Sequence, residues 1–115
     1  MVIPANHYPG EIRTNMRGGE GDIQVTPLSV AELPAGCRLF SRIEIPRGGS
    51  IGYHVHENET ELFYFISGAG RVQDDEALVD IQAGCTMVTA GGHGHAVFNV
   101  GEEPLVLLAC IVLDK

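Results

Sequence analysis

The chain has 115 residues and a formal net charge of −8 at pH 7, long enough for one real core but not two. No basic cluster exists to neutralise phosphates, which argues against nucleic acid and anionic membrane surfaces as partners. The longest apolar run, Leu105–Leu113, is too short to span a bilayer, and no N-terminal stretch joins basic residues to an apolar core as a signal peptide does.

Fifteen glycines, six prolines and few helix-forming runs favour an all-β chain of short strands. Cys37, Cys85 and Cys110 are odd in number and scattered. Without a secretion signal they read as reduced thiols of a cytoplasmic protein. Cys85 and Cys110 fall in apolar stretches, where a free cysteine serves as a small buried hydrophobe.

In chain order, residues 1–15 carry Pro4 and Pro9 without clean periodicity and predict an arm or edge strand, with His7 solvated. Residues 13–22 are a glycine-rich charged loop, so 1–22 are set apart from a barrel spanning 23–115, all within one domain. Ile23–Leu28 is a short strand ended by Pro27. Ser29–Leu33 reads as one helical turn or a lead into the turn at Pro34-Ala35-Gly36. Arg38–Pro46 alternates, with Leu39, Ser41, Ile43 and Ile45 predicted to point inward.

The next stretch carries the chemistry. His54 and His56 are two apart, which on a strand places both imidazoles on one face. Glu61 lies five residues beyond His56, an odd offset, but Glu57-Asn58-Glu59-Thr60 is polar enough to be a turn that resets the parity. The aromatic and β-branched run Leu62–Ile66 then reads as the neighbouring strand. Two imidazoles and one carboxylate converge, which is a metal site lacking a ligand. The best candidate for that ligand is His95, since Gly91, Gly92 and Gly94 let the loop before it approach closely.

The remaining elements are a tight reversal at Ser67-Gly68-Ala69-Gly70, a hairpin with its tip at Asp74-Asp75-Glu76, a return strand Ala77–Gln82, and a turn at Gly101–Pro104 before the last strand, Leu105–Leu113. Leu62–Ile66 and Leu105–Leu113 are apolar on both faces, so both faces should be covered.

Two spaced motifs in these stretches resemble those of the cupin superfamily. Gly48, His54, His56, Glu61 and Gly68 keep the spacing of its first motif. Gly84, Gly92, His95 and Asn99 keep that of the second, with Ala90 where proline is usual. The resemblance implies a double-stranded β-helix, or jelly-roll barrel, and a homodimer packed sheet to sheet. The motif spacing selects His95 over His93 and leaves His93 at the pocket rim.

Three neutral imidazoles and a carboxylate suit a divalent transition metal, whether Fe, Mn, Ni, Cu or Zn, and leave positions open for a ligand. Phe63, Phe65 and Val97 are expected to line the pocket, with Ile43 and Ile45 opposite. Tyr53 and Gln73 are expected to supply a hydroxyl and an amide, while the parity of Arg71 is lost across the glycine turn. No general acid or base stands out, so the catalytic residues are not identified. The leading expectation is a metal-dependent enzyme, of the dioxygenase kind, acting on a small oxygenated or enolic substrate. The second is a stand-alone module that binds or senses a small molecule, and an isomerase or epimerase ranks third.

Overall fold

The computed structural model describes residues 1–5, 9–28 and 32–114. His7 and most of the expected helical turn, residues 29–31, lie outside the described residues. Among these described residues ten strands run in order: β1 (Glu11–Thr14), β2 (Asp22–Pro27), β3 (Cys37–Ile45), β4 (Ser50–Val55), β5 (Glu59–Ser67), β6 (Ala69–Asp74), β7 (Ala77–Gln82), β8 (Thr86–Thr89), β9 (Gly94–Phe98) and β10 (Leu105–Leu113). They form two antiparallel sheets, β1-β2-β3-β10-β5-β8 and β4-β9-β6-β7, which are the two layers of a jelly roll. Among the described residues no helix is long and apolar enough to cross a membrane.

Alternation decides what each strand buries. On β3, Ser41, Ile43 and Ile45 are buried and Leu39 partly so, while Phe40 is exposed and Arg42 and Glu44 are half-exposed. The same rule packs Ile23 and Val25 of β2, Phe63 and Phe65 of β5, and Leu105, Leu107 and Ala109 of β10 against Ile51, Val72, Ile81 and Val97 of the smaller sheet. Fully burying each of the larger of these side chains contributes about 1.5–3 kcal/mol, so this interlayer core holds the barrel together.

Strand β5 begins earlier than the sequence suggests. The expected four-residue turn from Glu57 to Thr60 contracts to Glu57-Asn58, because Asn58 takes a left-handed conformation (φ 60°), which asparagine tolerates. Glu59 and Thr60 therefore already belong to the strand. Glu59, Glu61, Phe63 and Phe65 share its inward face.

The N-terminal segment is more ordered in role than an arm and a loop. β1 is the edge strand of the larger sheet, and a 3-10 turn at Met16–Gly18 follows it. Backbone meets backbone there: a Cβ at Gly19 would collide with the Ser50 carbonyl, and one at Gly52 with the Arg17 carbonyl. Ser50 reinforces the joint, its amide donating to the Glu20 carbonyl at 2.9 Å and its hydroxyl accepting from the Glu20 amide at 2.9 Å. Strand β4 accommodates this contact with a bulge. Ile51 opposes Val97 and His54 opposes His95, so three steps on β4 match two on β9.

Candidate metal centre

Three strands deliver four donor atoms to one point: His54 from β4, His56 just beyond it, Glu61 from β5 and His95 from β9. The donors lie within 4.8 Å of one another. His95 Nε2 is 3.1 Å from His56 Nε2 and 3.2 Å from His54 Nε2. Glu61 Oε1 is 2.9 Å from His56 Nε2 and 3.0 Å from His95 Nε2. Neighbouring ligands at right angles on a metal are about 2.8–3.0 Å apart when each bond is about 2.0–2.1 Å. The four measured separations, 2.9–3.2 Å, lie at or just above that spacing. The three rings stand nearly perpendicular to one another, at 67°, 77° and 83°.

The outer nitrogen of each ring fixes what its inner nitrogen can do. His54 Nδ1 lies 2.8 Å from the Gly52 carbonyl, which only accepts, so Nδ1 carries the hydrogen. His56 Nδ1 donates to Glu59 Oε2 at 2.7 Å. Glu59 stays ionised because its hydrogen bonds from the Arg38 guanidinium, two at 2.9 Å, hold its pKa at about 2. His95 Nδ1 is 2.7 Å from the Thr89 hydroxyl, which can accept its hydrogen. The inner Nε2 of His56 therefore presents a lone pair toward the Glu61 carboxylate, and that of His54 presents one toward His95 Nε2. Lone pairs facing at this distance repel unless a positive centre lies among them, so the donor set fits a metal cation.

Burial favours the ligating form of His54. His56, Glu61 and His95 are buried and His54 is half-buried. Burial is the largest influence on His54 and pushes its pKa below the ordinary imidazole value. The Gly52 carbonyl opposes that shift, and the charges of His95, Arg17 and His56 add to it. A neutral imidazole is the form that ligates. Phe63 stacks on the His95 ring, with centroids 4.9 Å apart and planes 19° apart, and so fixes its orientation.

A cavity of about 80 Å³ opens over the cluster, lined by Ile43, Ile51, Phe63 and Ile111 within and by Arg13, Met16, Arg17, Arg38 and Leu39 toward the mouth. A water needs roughly 10–15 Å³ measured this way, so there is room for only a handful of atoms.

Of the residues expected to line the pocket, Phe63 and Ile43 do so. Phe65 and Val97 are on the ligand face but fully buried in the core. Each lies two residues, about 6.6 Å, further along its strand than the ligand-side neighbour. Tyr53 and Gln73 point away from the cavity. Tyr53 neighbours His54 on the opposite face of β4 and covers Gly94 from outside. Gln73 follows the inward Val72 and donates to the Asp75 carbonyl at 2.8 Å. Arg71 is also outward, paired with Asp80 at 2.8 Å. His93 is exposed and pairs with Asp75 at 2.6 Å, so the hairpin tip is partly structural: the same aspartate also accepts from the Gly94 amide at 2.9 Å.

Sequence reasoning missed Glu59, Thr89 and the arginines of the mouth. Glu59 could have been found as the residue two before Glu61 on the same face, had the turn been shortened. Nothing in the local sequence marks Arg17. The cysteines stay free: Cys85 packs against the core just before β8, and Cys37 and Cys110 approach to 3.9 Å between sulfurs.

The family model described as the cupin domain matches residues 41–111. A relative described as an oxalate-binding protein, from Thermotoga maritima, is 37% identical over 114 residues, 98% of this chain and 94% of that protein. A crystal structure described as a predicted oxalate decarboxylase, also from Thermotoga maritima, superposes with a TM-score of 0.92 at 37% identity, covering 98% of this chain and 99% of that one. An uncharacterized HTH-type transcriptional regulator of Escherichia coli, YdiP, is 37% identical over 59 residues, which are 51% of this chain but 20% of the regulator. With β4 through β9 and most of β3 and β10 inside the matched range and one relative matched over nearly its whole length, this chain belongs to the cupin family.

Proposed function

We propose that this cupin binds a small dicarboxylate such as oxalate through a divalent metal held by His54, His56, Glu61 and His95. The observation that carries the reading is the convergence of three Nε2 atoms and one carboxylate oxygen at spacings of 2.9–3.2 Å. When bound, the metal supplies Lewis acidity and a point of chelation for a bidentate oxygen ligand. The small cavity excludes larger ligands, and the Thermotoga relative described as oxalate-binding supports the choice of ligand.

Binding is favoured over turnover by what the cavity lacks. Among its described lining residues the only carboxyl is Glu61, which is a proposed ligand, and the only imidazoles are the proposed ligands themselves. Among those described residues no group is left to deliver or accept a proton, as decarboxylation or isomerisation requires. The positions left open beside four protein ligands favour a second reading, a dioxygenase acting on a small enolic substrate. The partial match to a regulator is consistent with a sensing role for this barrel.

A homodimer belongs to the same proposal. Phe40, Cys110, Leu62 and Val88 form one row across the outer face of the larger sheet. Phe40, Leu62 and Val88 are 40%, 40% and 61% exposed, and a second copy of this face would cover them.

Elemental analysis of purified protein, followed by calorimetric titration with oxalate before and after metal removal, tests the reading. About one transition metal per chain and binding only in the loaded form are expected. Replacing both His54 and His56 with alanine abolishes the metal and the binding. Equal oxalate affinity with and without metal would overturn it.

A further inference from the structure

The cavity mouth has a charge character opposite to that of the protein. Three of the chain's seven basic residues, Arg13, Arg17 and Arg38, lie there in a molecule of net charge −8. Two of them are already engaged. Arg38 donates two hydrogen bonds to Glu59, and Arg13 is paired with Glu11. Arg17 has no side-chain hydrogen bond or ion pair among the described residues, and it lines the same cavity as His54.

Its backbone is unusual as well. Arg17 is held in a left-handed conformation (φ 55°, ψ 31°), between Asn15, which is also left-handed, and Gly18. A non-glycine residue in that region is strained and persists only where its surroundings enforce it. Here the enforcement is visible. The Arg17 carbonyl abuts Gly52 with no room for a side chain, the Gly18 amide donates to the Asn15 carbonyl at 2.9 Å, and the Gly19 amide donates to the Met16 carbonyl at 2.9 Å. The turn is thereby fixed to β4, two residues from the ligand His54.

We infer that Arg17 is the specificity determinant of the pocket, its guanidinium receiving the carboxylate of a small dianion whose other end faces the metal. The inference rests on the proposed metal-centred dicarboxylate reading. A divalent ion on three neutral imidazoles and one carboxylate leaves a single positive charge, and Arg17 adds another. A dicarboxylate neutralises both, whereas a monoanion leaves one unmatched inside a cavity with apolar walls, where the imbalance is least screened. The planar fork of arginine suits a carboxylate held in one orientation.

The test compares oxalate with its monoamide, oxamate, which is nearly the same size and carries one charge less. Both are titrated calorimetrically into manganese-loaded wild type, Arg17→Asn and Arg17→Lys, with metal content measured after each titration. Asparagine tolerates the left-handed backbone, so this variant keeps the turn and its folding. Wild type is expected to prefer oxalate. Arg17→Asn should lose roughly tenfold to a hundredfold in oxalate affinity, keep its oxamate affinity within about threefold and retain full metal, while Arg17→Lys recovers part of the loss. Unchanged oxalate affinity in Arg17→Asn overturns the assignment while leaving the metal reading standing. Parallel losses of both ligands, or loss of metal, also overturn it by giving Arg17 a structural role. Absence of oxalate binding in metal-loaded wild type overturns the dicarboxylate reading and this inference together.

Discussion

Glu59 Oε2 lies 2.7 Å from His56 Nδ1, three residues back across the left-handed Asn58, and both oxygens of that carboxylate are gripped by Arg38. The contact orients an imidazole from behind and strengthens its inner nitrogen as a donor, as outer carboxylates do around metal-bound histidines. Glu59→Gln should therefore lower metal affinity by about 10–100-fold, measured by competition with a chromophoric chelator, while leaving the fold intact by circular dichroism.

The same residue sets a pH dependence. The Glu59 pKa is held at about 2 in the folded chain, chiefly by Arg38, against an ordinary 4.5. A carboxylate with a depressed folded value stabilises fully above its ordinary pKa and loses that contribution as pH falls toward the folded one. The stability advantage of wild type over Glu59→Gln should be constant above about pH 5 and shrink between pH 4.5 and 2. Urea midpoints of both proteins across that range check it, and a gap that widens toward acid would contradict the ion pair.

Asn99, the last residue of the second motif, is a clamp and ligates nothing. Buried behind β9, its amide donates to the Ile45 and Glu103 carbonyls at 3.0 and 2.9 Å, and its oxygen accepts from the Gly101 amide at 3.0 Å. At about 1 kcal/mol per hydrogen bond, Asn99→Ala should cost about 2–3 kcal/mol. Denaturant unfolding reads that loss, and the metal content of the folded variant should be unchanged.

The outer row of the larger sheet bears on assembly. Light scattering at micromolar concentration is expected to give the mass of two chains, and Leu62→Asp to give one. The charge would sit between Cys110 and Val88 at the centre of the row, where burial against a second copy leaves it unpaired. A wild-type mass of one chain would remove the dimer.

The joint between Gly52 and the Arg17 carbonyl can be opened without touching a ligand. Gly52→Ala puts a methyl where the carbonyl now sits, so the turn must lift from β4. Trypsin should then cleave after Arg17 or Arg13 under conditions in which wild type resists. Oxalate affinity should fall while bound metal stays.

What was readable from sequence followed short-range periodicity. The two-residue spacing of His54 and His56 and the alternation of β3 translate directly into faces of a strand. So does the limit of β10, whose observed range is the apolar run Leu105–Leu113 itself. Errors came where one backbone angle changes the count. Asn58 turns in two residues rather than four, which hid Glu59. Placing Tyr53 and Gln73 in the pocket set aside the alternation of their own strands, which sends both outward. Shared parity was also insufficient, since it gives a face but not a depth, and so it did not separate Phe63 from Phe65. The contact of Gly19 with Gly52 spans 33 positions and leaves no periodic trace, so neither the docked turn nor the role of Arg17 was visible.

That joint has a consequence for how such barrels diversify. All four proposed metal ligands fall within the stretch shared with the family, residues 41–111, whereas Arg13 and Arg17 lie outside it. The proposed ion site and the proposed reader of its guest thus lie in separate parts of the chain, joined where Gly19 and Glu20 meet Ser50 and Gly52. Exchanging the first twenty residues could change which anion is admitted while leaving the inorganic chemistry beneath it as it was.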